Sequence, residues 1–130
     1  MHQELALKVG VGLMRTSGQL TQFLKNDVSS YGLNSTEFGV LELLWSKGEY
    51  PVQQIAKKIL ISSSSTTYVI NLLEKKGLVQ RRIDTKDRRV AYIGLSPSGF
   101  DLMREIFPVH VAKLDKVFGN LSEAELQGLS

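Results

Sequence analysis

The chain has no cysteine, which excludes disulfides, thiol redox sensing and thiolate metal sites. Histidine occurs only at His2 and His110, far too sparse for a metal-ligand cluster. No apolar run approaches the roughly 20 residues of a membrane span. The opening Met1-His2-Gln3-Glu4 lacks the basic and apolar regions of a signal peptide, so a soluble, cytoplasmic protein is expected. Also missing are a nucleophile beside a base, a glycine-rich phosphate loop and any internal repeat. Neither catalysis nor a cofactor is therefore expected.

At 130 residues, with 42% hydrophobic and 22% charged residues, the composition is that of one ordinary globular domain. The net charge of +3 argues little by itself; its placement argues more. Between positions 75 and 89 the cations are Lys75, Lys76, Arg81, Arg82, Lys86, Arg88 and Arg89, opposed only by Asp84 and Asp87. Such clustering is the footprint of a polyanion-binding surface.

Helical spacing of Leu5, Val9, Leu13, Leu20, Leu24 and Val28 predicts a first helix to about Ser30, with Phe23 off the stripe. Gly10, Gly12 and Gly18 weaken it and suggest close packing or a bend. Gly32 offers a stop. Asn34 and Glu37 form a capping box for the next helix, with Leu33 and Phe38 as its hydrophobic staple. That helix ends at Gly48. Pro51 is expected to open a short helix to about Leu60, with Val52, Ile55, Ala56 and Ile59 inward. A tight turn at Leu60-Ile61-Ser62 then leads into a second helix, from Ser62 to Lys76, closed by Gly77. Two helices so joined suggest a helix-turn-helix.

On this second helix Thr66, Val69, Ile70 and Leu73 share a core face, while Ser64, Ser65, Thr67, Tyr68 and Asn71 point elsewhere. Hydroxyls and an amide there suit base edges and phosphate oxygens. Serines at the helix start equally serve as caps, but Thr67, Tyr68 and Asn71 lie too far in for that. A hairpin follows, Leu78–Ile83 and Val90–Leu95, with Val79, Ile83, Val90, Tyr92 and Leu95 as packing residues. Its tip, Thr85-Lys86-Asp87-Arg88-Arg89, reads either as a solvated loop or as a wing whose arginine enters a minor groove. Asp87 is placed to brace Arg89. Ser96 and Pro97 start a long helix towards Gly119, in which Phe100, Met103, Ile106 or Phe107, Val111, Leu114 and Val117 recur and Pro108 should cause a kink. Ser122 and Glu125 cap a further helix that stops after about two turns, as though truncated.

Three stretches in this order resemble the MarR family of winged-helix transcriptional regulators. They are Tyr31-Gly32-Leu33-Asn34-Ser35-Thr36-Glu37-Phe38-Gly39-Val40-Leu41, then Leu72-Leu73-Glu74-Lys75-Lys76-Gly77-Leu78-Val79, then Asp87-Arg88-Arg89 followed by Leu95-Ser96-Pro97-Ser98-Gly99. The resemblance implies a mainly α fold with a small β-hairpin wing (α+β). Residues 34–95 would form the winged helix-turn-helix, and 4–30 with 97–130 the dimerisation helices of a single domain. It further implies a homodimer on a double-stranded, pseudo-palindromic operator, acting as a repressor. Ser64, Ser65, Thr67, Tyr68 and Asn71 would read the major groove; Lys86, Arg88 and Arg89 would serve the wing; Lys75, Arg81 and Arg82 would meet phosphates.

Two departures bear on mechanism. Many members carry arginine where this chain has Tyr68, so the usual arginine-to-guanine contact is not expected there. The peroxide-sensing branch needs cysteine and the metal-sensing branch needs histidine–carboxylate clusters. Release by a small aromatic compound remains, and the segment Met1–Val9 is similar to regulators answering quinones and catechols. Met14, Phe23, Tyr31, Phe38, Trp45 and Phe107 are the candidate pocket; each alone reads as core, and together they read as a ligand site near a domain junction. The competing functional class is a winged helix that joins protein complexes without touching DNA, which would present an apolar patch instead.

Overall fold

The computed structural model describes residues 1–59 and 63–119, without the side chains of 63 and 64. The turn expected at Leu60-Ile61-Ser62 and the helix expected after Ser122 lie outside the described residues.

The elements run α1 (His2–Ser29), α2 (Ser35–Lys47), β1 (Tyr50–Pro51), α3 (Val52–Ile59), α4 (Ser63–Lys75), β2 (Val79–Ile83), β3 (Ala91–Leu95) and α5 (Pro97–Val117). This is the winged helix-turn-helix: α3 and α4 are the helix pair, and β2–β3 the wing. Helix boundaries follow local chemistry. The capping box is complete: Asn34 Oδ1 accepts from the Glu37 amide at 2.8 Å, and Glu37 Oε1 accepts from the Asn34 amide at 3.0 Å. Gly32 and Gly77, at φ 76° and 73°, each end a helix in a left-handed turn. Around them the amides of Leu33 and Leu78 donate to Val28 O and Leu73 O, the Schellman pattern.

The sheet has order β1-β3-β2 and is antiparallel, with Tyr50 opposite Ile93 and Val79 opposite Leu95. Pro51 belongs to β1 and does not open α3. An edge strand is where a residue without an amide proton is tolerated, and Val52 becomes the first helical residue. Ile83 was expected to pack but is 50% exposed, because β2 runs off the helical body after Val79. Ile93, opposite Arg81, is the buried residue of the hairpin instead.

The core joins Val40, Leu41 and Leu44 of α2 to Ile55 of α3, Ile70 and Leu73 of α4, Ile93 of β3 and Met103 of α5. Thr66 and Val69 are buried beside them, as the helical spacing requires. α5 continues through Pro108. Its buried residues are Gly99, Met103, Ile106 and His110, whereas Phe100, Val111 and Val117 stay largely exposed. α1 is buried only at Asp27 and Val28, and a Cβ at Gly10, Gly12 or Gly18 would meet nothing within 4 Å. The close packing expected at those glycines is absent within this chain. No helix among the described residues is long and apolar enough to cross a membrane.

Candidate nucleic-acid interface

α4 divides into two faces. Thr66, Val69, Ile70 and Leu73 face the core, and Ser65, Thr67, Tyr68 and Asn71 are exposed, Tyr68 by 66%. The side chain of Ser64 lies outside the described residues. Because the buried face is packed from three sides, the exposed side chains project from a rigid rod.

Three contacts lock the end of α4. Lys76 Nζ donates to Gly32 O at 3.0 Å and pairs with Glu37 Oε2 at 2.6 Å, so the carboxylate that caps α2 also holds the exit of α4. Arg81 Nη2 pairs with Glu74 at 2.9 Å, tying β2 to the last turn of α4. Ser96 Oγ donates to Gly77 O at 2.6 Å and accepts from the Gly99 amide at 3.0 Å. A Cβ on Gly99 would come within 2.0 Å of Leu78 O. The run Ser96-Pro97-Ser98-Gly99 thus seats the start of α5 directly on the entry to the wing.

The wing tip has its own scaffold. Asp84 Oδ1 accepts from the Lys86 amide, and Val90 N donates to Asp87 O. Asp87 Oδ1 accepts from both the backbone amide and Nε of Arg89 at 3.1 Å, and Oδ2 accepts from Nη2 at 3.3 Å. These bonds, the side-chain one foremost, hold the Asp87 carboxyl below its ordinary range. Arg89 nonetheless keeps 91% of its side chain in solvent; Lys86 and Arg88 are exposed as well. Arg82, expected to meet phosphate, is engaged elsewhere: it hydrogen-bonds Glu49 at 3.0 Å, which raises its pKa, and lies 4.6 Å over the Tyr92 ring. Lys75 is exposed.

The candidate ligand residues separate. A cavity of about 460 Å³ lies among α1, α2 and α5 and takes in Phe38 and Phe107. Met14 is 78% exposed, Phe23 and Tyr31 lie outside the lining, and Trp45 packs against Phe100 and Phe107 with ring centroids 6.0 and 6.2 Å away. Leu24, Val28, Val111 and Leu114 line the cavity in their place, together with His110. His110 is a residue that sequence reasoning passed over. Its Nδ1 lies 2.6 Å from Asp27 Oδ2, and Lys113 Nζ lies 2.6 Å from Asp27 Oδ1. Burial pushes the Asp27 carboxyl up, but the bonds from His110 and Lys113 outweigh it, and the net shift is downward. The same bond raises Lys113. The available signal was the spacing of Met103, Ile106 and His110, which puts a histidine on a core stripe.

With this geometry in view, the relatives can be placed. A MarR family profile matches residues 33–91. The chain is 41% identical over 124 residues to the HTH-type transcriptional regulator MhqR of Bacillus subtilis, covering 95% of this chain and 86% of that protein. The crystal structure of AbsC, a MarR family transcriptional regulator from Streptomyces coelicolor, superposes with a TM-score of 0.84 at 25% identity, over 97% of this chain and 85% of that one. Bordetella bronchiseptica BpsR, whose DNA binding is regulated by 6-hydroxynicotinic acid, superposes with a TM-score of 0.78 at 25% identity, over 94% and 92% of the two chains.

Proposed function

The chain belongs to the MarR family of DNA-binding transcriptional regulators, which are not enzymes, and from that premise we propose that it is a homodimeric cytoplasmic repressor of a pseudo-palindromic operator, released by a small aromatic compound. The observation that carries this reading is a rigid α4 with an exposed polar face, coupled through Gly77 and Ser96 to a hairpin that presents Arg88 and Arg89 to solvent.

In this reading Ser64, Ser65, Thr67, Tyr68 and Asn71 meet base edges in the major groove. Lys75, Lys86, Arg88 and Arg89 meet phosphates or the minor groove, with Asp87 aiming Arg89. The ion pairs of Arg81 and Arg82 favour a role in holding the wing to α4 and β1 over direct phosphate contact. α1 and α5 form the dimer, which sets the two α4 helices one helical turn apart, about 34–36 Å. Support for an effector comes from the cavity between α1, α5 and the winged-helix body, and from the compound that regulates BpsR.

Footprinting on the DNA flanking its own gene, followed by a salt titration on the protected fragment, tests the reading. A steep linear fall of log K with log salt is expected, since each neutralised phosphate releases counterions. A slope near zero would overturn it in favour of a protein-binding winged helix.

A further inference from the structure

Of the polar residues that line the cavity, Thr21, Ser35 and Glu42 are exposed and stand at its rim; His110 is buried, its side chain 5% exposed. The rest of the wall is carbon, from Leu24, Val28, Phe38, Phe107 and Leu114 among others. Such a chamber, mostly apolar with one inward polar group, suits a flat organic molecule held in a single orientation.

The ring of His110 is fixed from two sides. Phe38 packs on it with centroids 4.6 Å apart and planes at 52°. Asp27 takes Nδ1 at 2.6 Å. Asp27 is ionised, so Nδ1 carries the proton and donates it. Nε2 makes no hydrogen bond to the described residues, yet among them no buried side-chain nitrogen or oxygen is left unpaired. Nε2 is therefore the atom open to the cavity. Lys113, 2.6 Å from Asp27 and 5.9 Å from the Tyr31 ring centre, balances the Asp27 charge. A neutral imidazole then completes a cluster without net charge, and Nε2 holds a lone pair.

We propose that the cavity selects an uncharged hydroxyaryl compound whose hydroxyl donates to Nε2 of His110, with Asp27 fixing the tautomer that makes Nε2 an acceptor. The inference rests on the effector reading above and names the chemistry of its ligand. A carboxylate ligand is selected against: no lysine or arginine lines the cavity, Asp27 stands behind the ring and Glu42 at the mouth. An aryl ether is selected against because it leaves Nε2 desolvated and unpaired.

The test is titration of the full chain with 2-naphthol, 2-methoxynaphthalene and 2-naphthoate, read by ligand fluorescence. The naphthol should bind about tenfold or more tightly than either analogue, the usual scale for one buried hydrogen bond lost. His110→Phe, which keeps a ring and removes Nε2, should equalise naphthol and ether. Equal affinity for the ether, tighter binding of the naphthoate, or no binding of all three by the unmodified chain would overturn the inference, whether or not the variant folds. DNA release, measured on the same samples, separates the two readings. Donor-selective binding that leaves DNA affinity unchanged removes the effector reading and upholds the inference. Release by naphthol and ether alike upholds the effector reading and overturns the inference.

Discussion

Asp87 and Arg89 show how one short contact changes the meaning of a charged loop. An acidic residue at a DNA-facing tip should repel phosphate, so its removal ought to tighten binding. Here the carboxylate accepts two side-chain bonds and one amide bond from Arg89, which narrows the directions the guanidinium samples. We expect Asp87→Asn to weaken operator binding several-fold in gel-shift titrations even though the chain becomes more positive; tighter binding would make Asp87 a bystander. Arg89→Ala should lower the log–log salt slope by about one without changing the melting temperature. The Asp27 cluster has a different signature. The folded carboxyl lies below its unfolded value near 3.9, so its stabilisation is full above that value and is lost as pH falls through the lower, folded value. Lys113 is raised, so its share is present below the unfolded value near 10.4 and is lost as pH climbs through the higher, folded one. The gap in melting temperature between the parent and Asp27→Asn should therefore be flat across neutral pH and shrink below about pH 4. A gap that stays constant into acid would dismiss the cluster as a stabilising unit.

Among the elements, the junction of α4, β2 and α5 is the tightest. Ser96 serves as N-cap of α5 and as donor to Gly77 O at once, and Gly99 leaves room for Leu78 O. An alanine at position 99 would gain up to about 1 kcal/mol of helix propensity. A Cβ 2.0 Å from a carbonyl oxygen cannot be accommodated without backbone movement, and such overpacking costs about 1–3 kcal/mol. Gly99→Ala should therefore lower the denaturation midpoint and loosen the wing, seen as faster amide exchange at Leu78 and Val79. A stabilised variant would mean that α5 is not seated as described. At the start of α2, Asn34→Ala removes the acceptor for Glu37 N, with an expected loss of about 1 kcal/mol in urea unfolding. A loss close to zero would leave the Lys76–Glu37 pair as the main hold on that turn.

At the scale of the whole molecule, α1 is the outlier. A helix of 28 residues is about 42 Å long at 1.5 Å per residue, and its residues from 1 to 19 are all exposed. Leu5, Val9 and Leu13 form one uncovered apolar line and Leu7, Val11 and Met14 another, with Leu7 at 70% exposure. Val109, Val111 and Val117 of α5 add to the exposed apolar surface. Contiguous apolar surface of this kind marks an interface, which supports the homodimer proposed above. Leu7→Glu together with Leu13→Glu should convert the dimer to a monomer in sedimentation equilibrium and weaken operator binding sharply; an unchanged dimer would place the interface elsewhere.

Local chemistry was enough for the sequence to determine where helices begin and end, at Asn34, Gly32, Gly77 and Ser96, and which face of α4 is buried. Capping and periodicity act over three or four residues, so the order of the elements, the basic wing and the Asp87 brace were all legible before any coordinates. Only the tertiary structure decided that Arg81 and Arg82 are paired with Glu74 and Glu49, that Pro51 joins the sheet as a two-residue strand, and that Ile93 is buried rather than Ile83. It also brought Asp27 to His110 across 83 positions of sequence and set both beside a cavity of which Phe38 and Phe107, but not Met14 or Trp45, are walls. The physical reason is range: a hydrogen bond between distant segments leaves no periodic trace along the chain, because its geometry arises only when the core draws α1, α2 and α5 together.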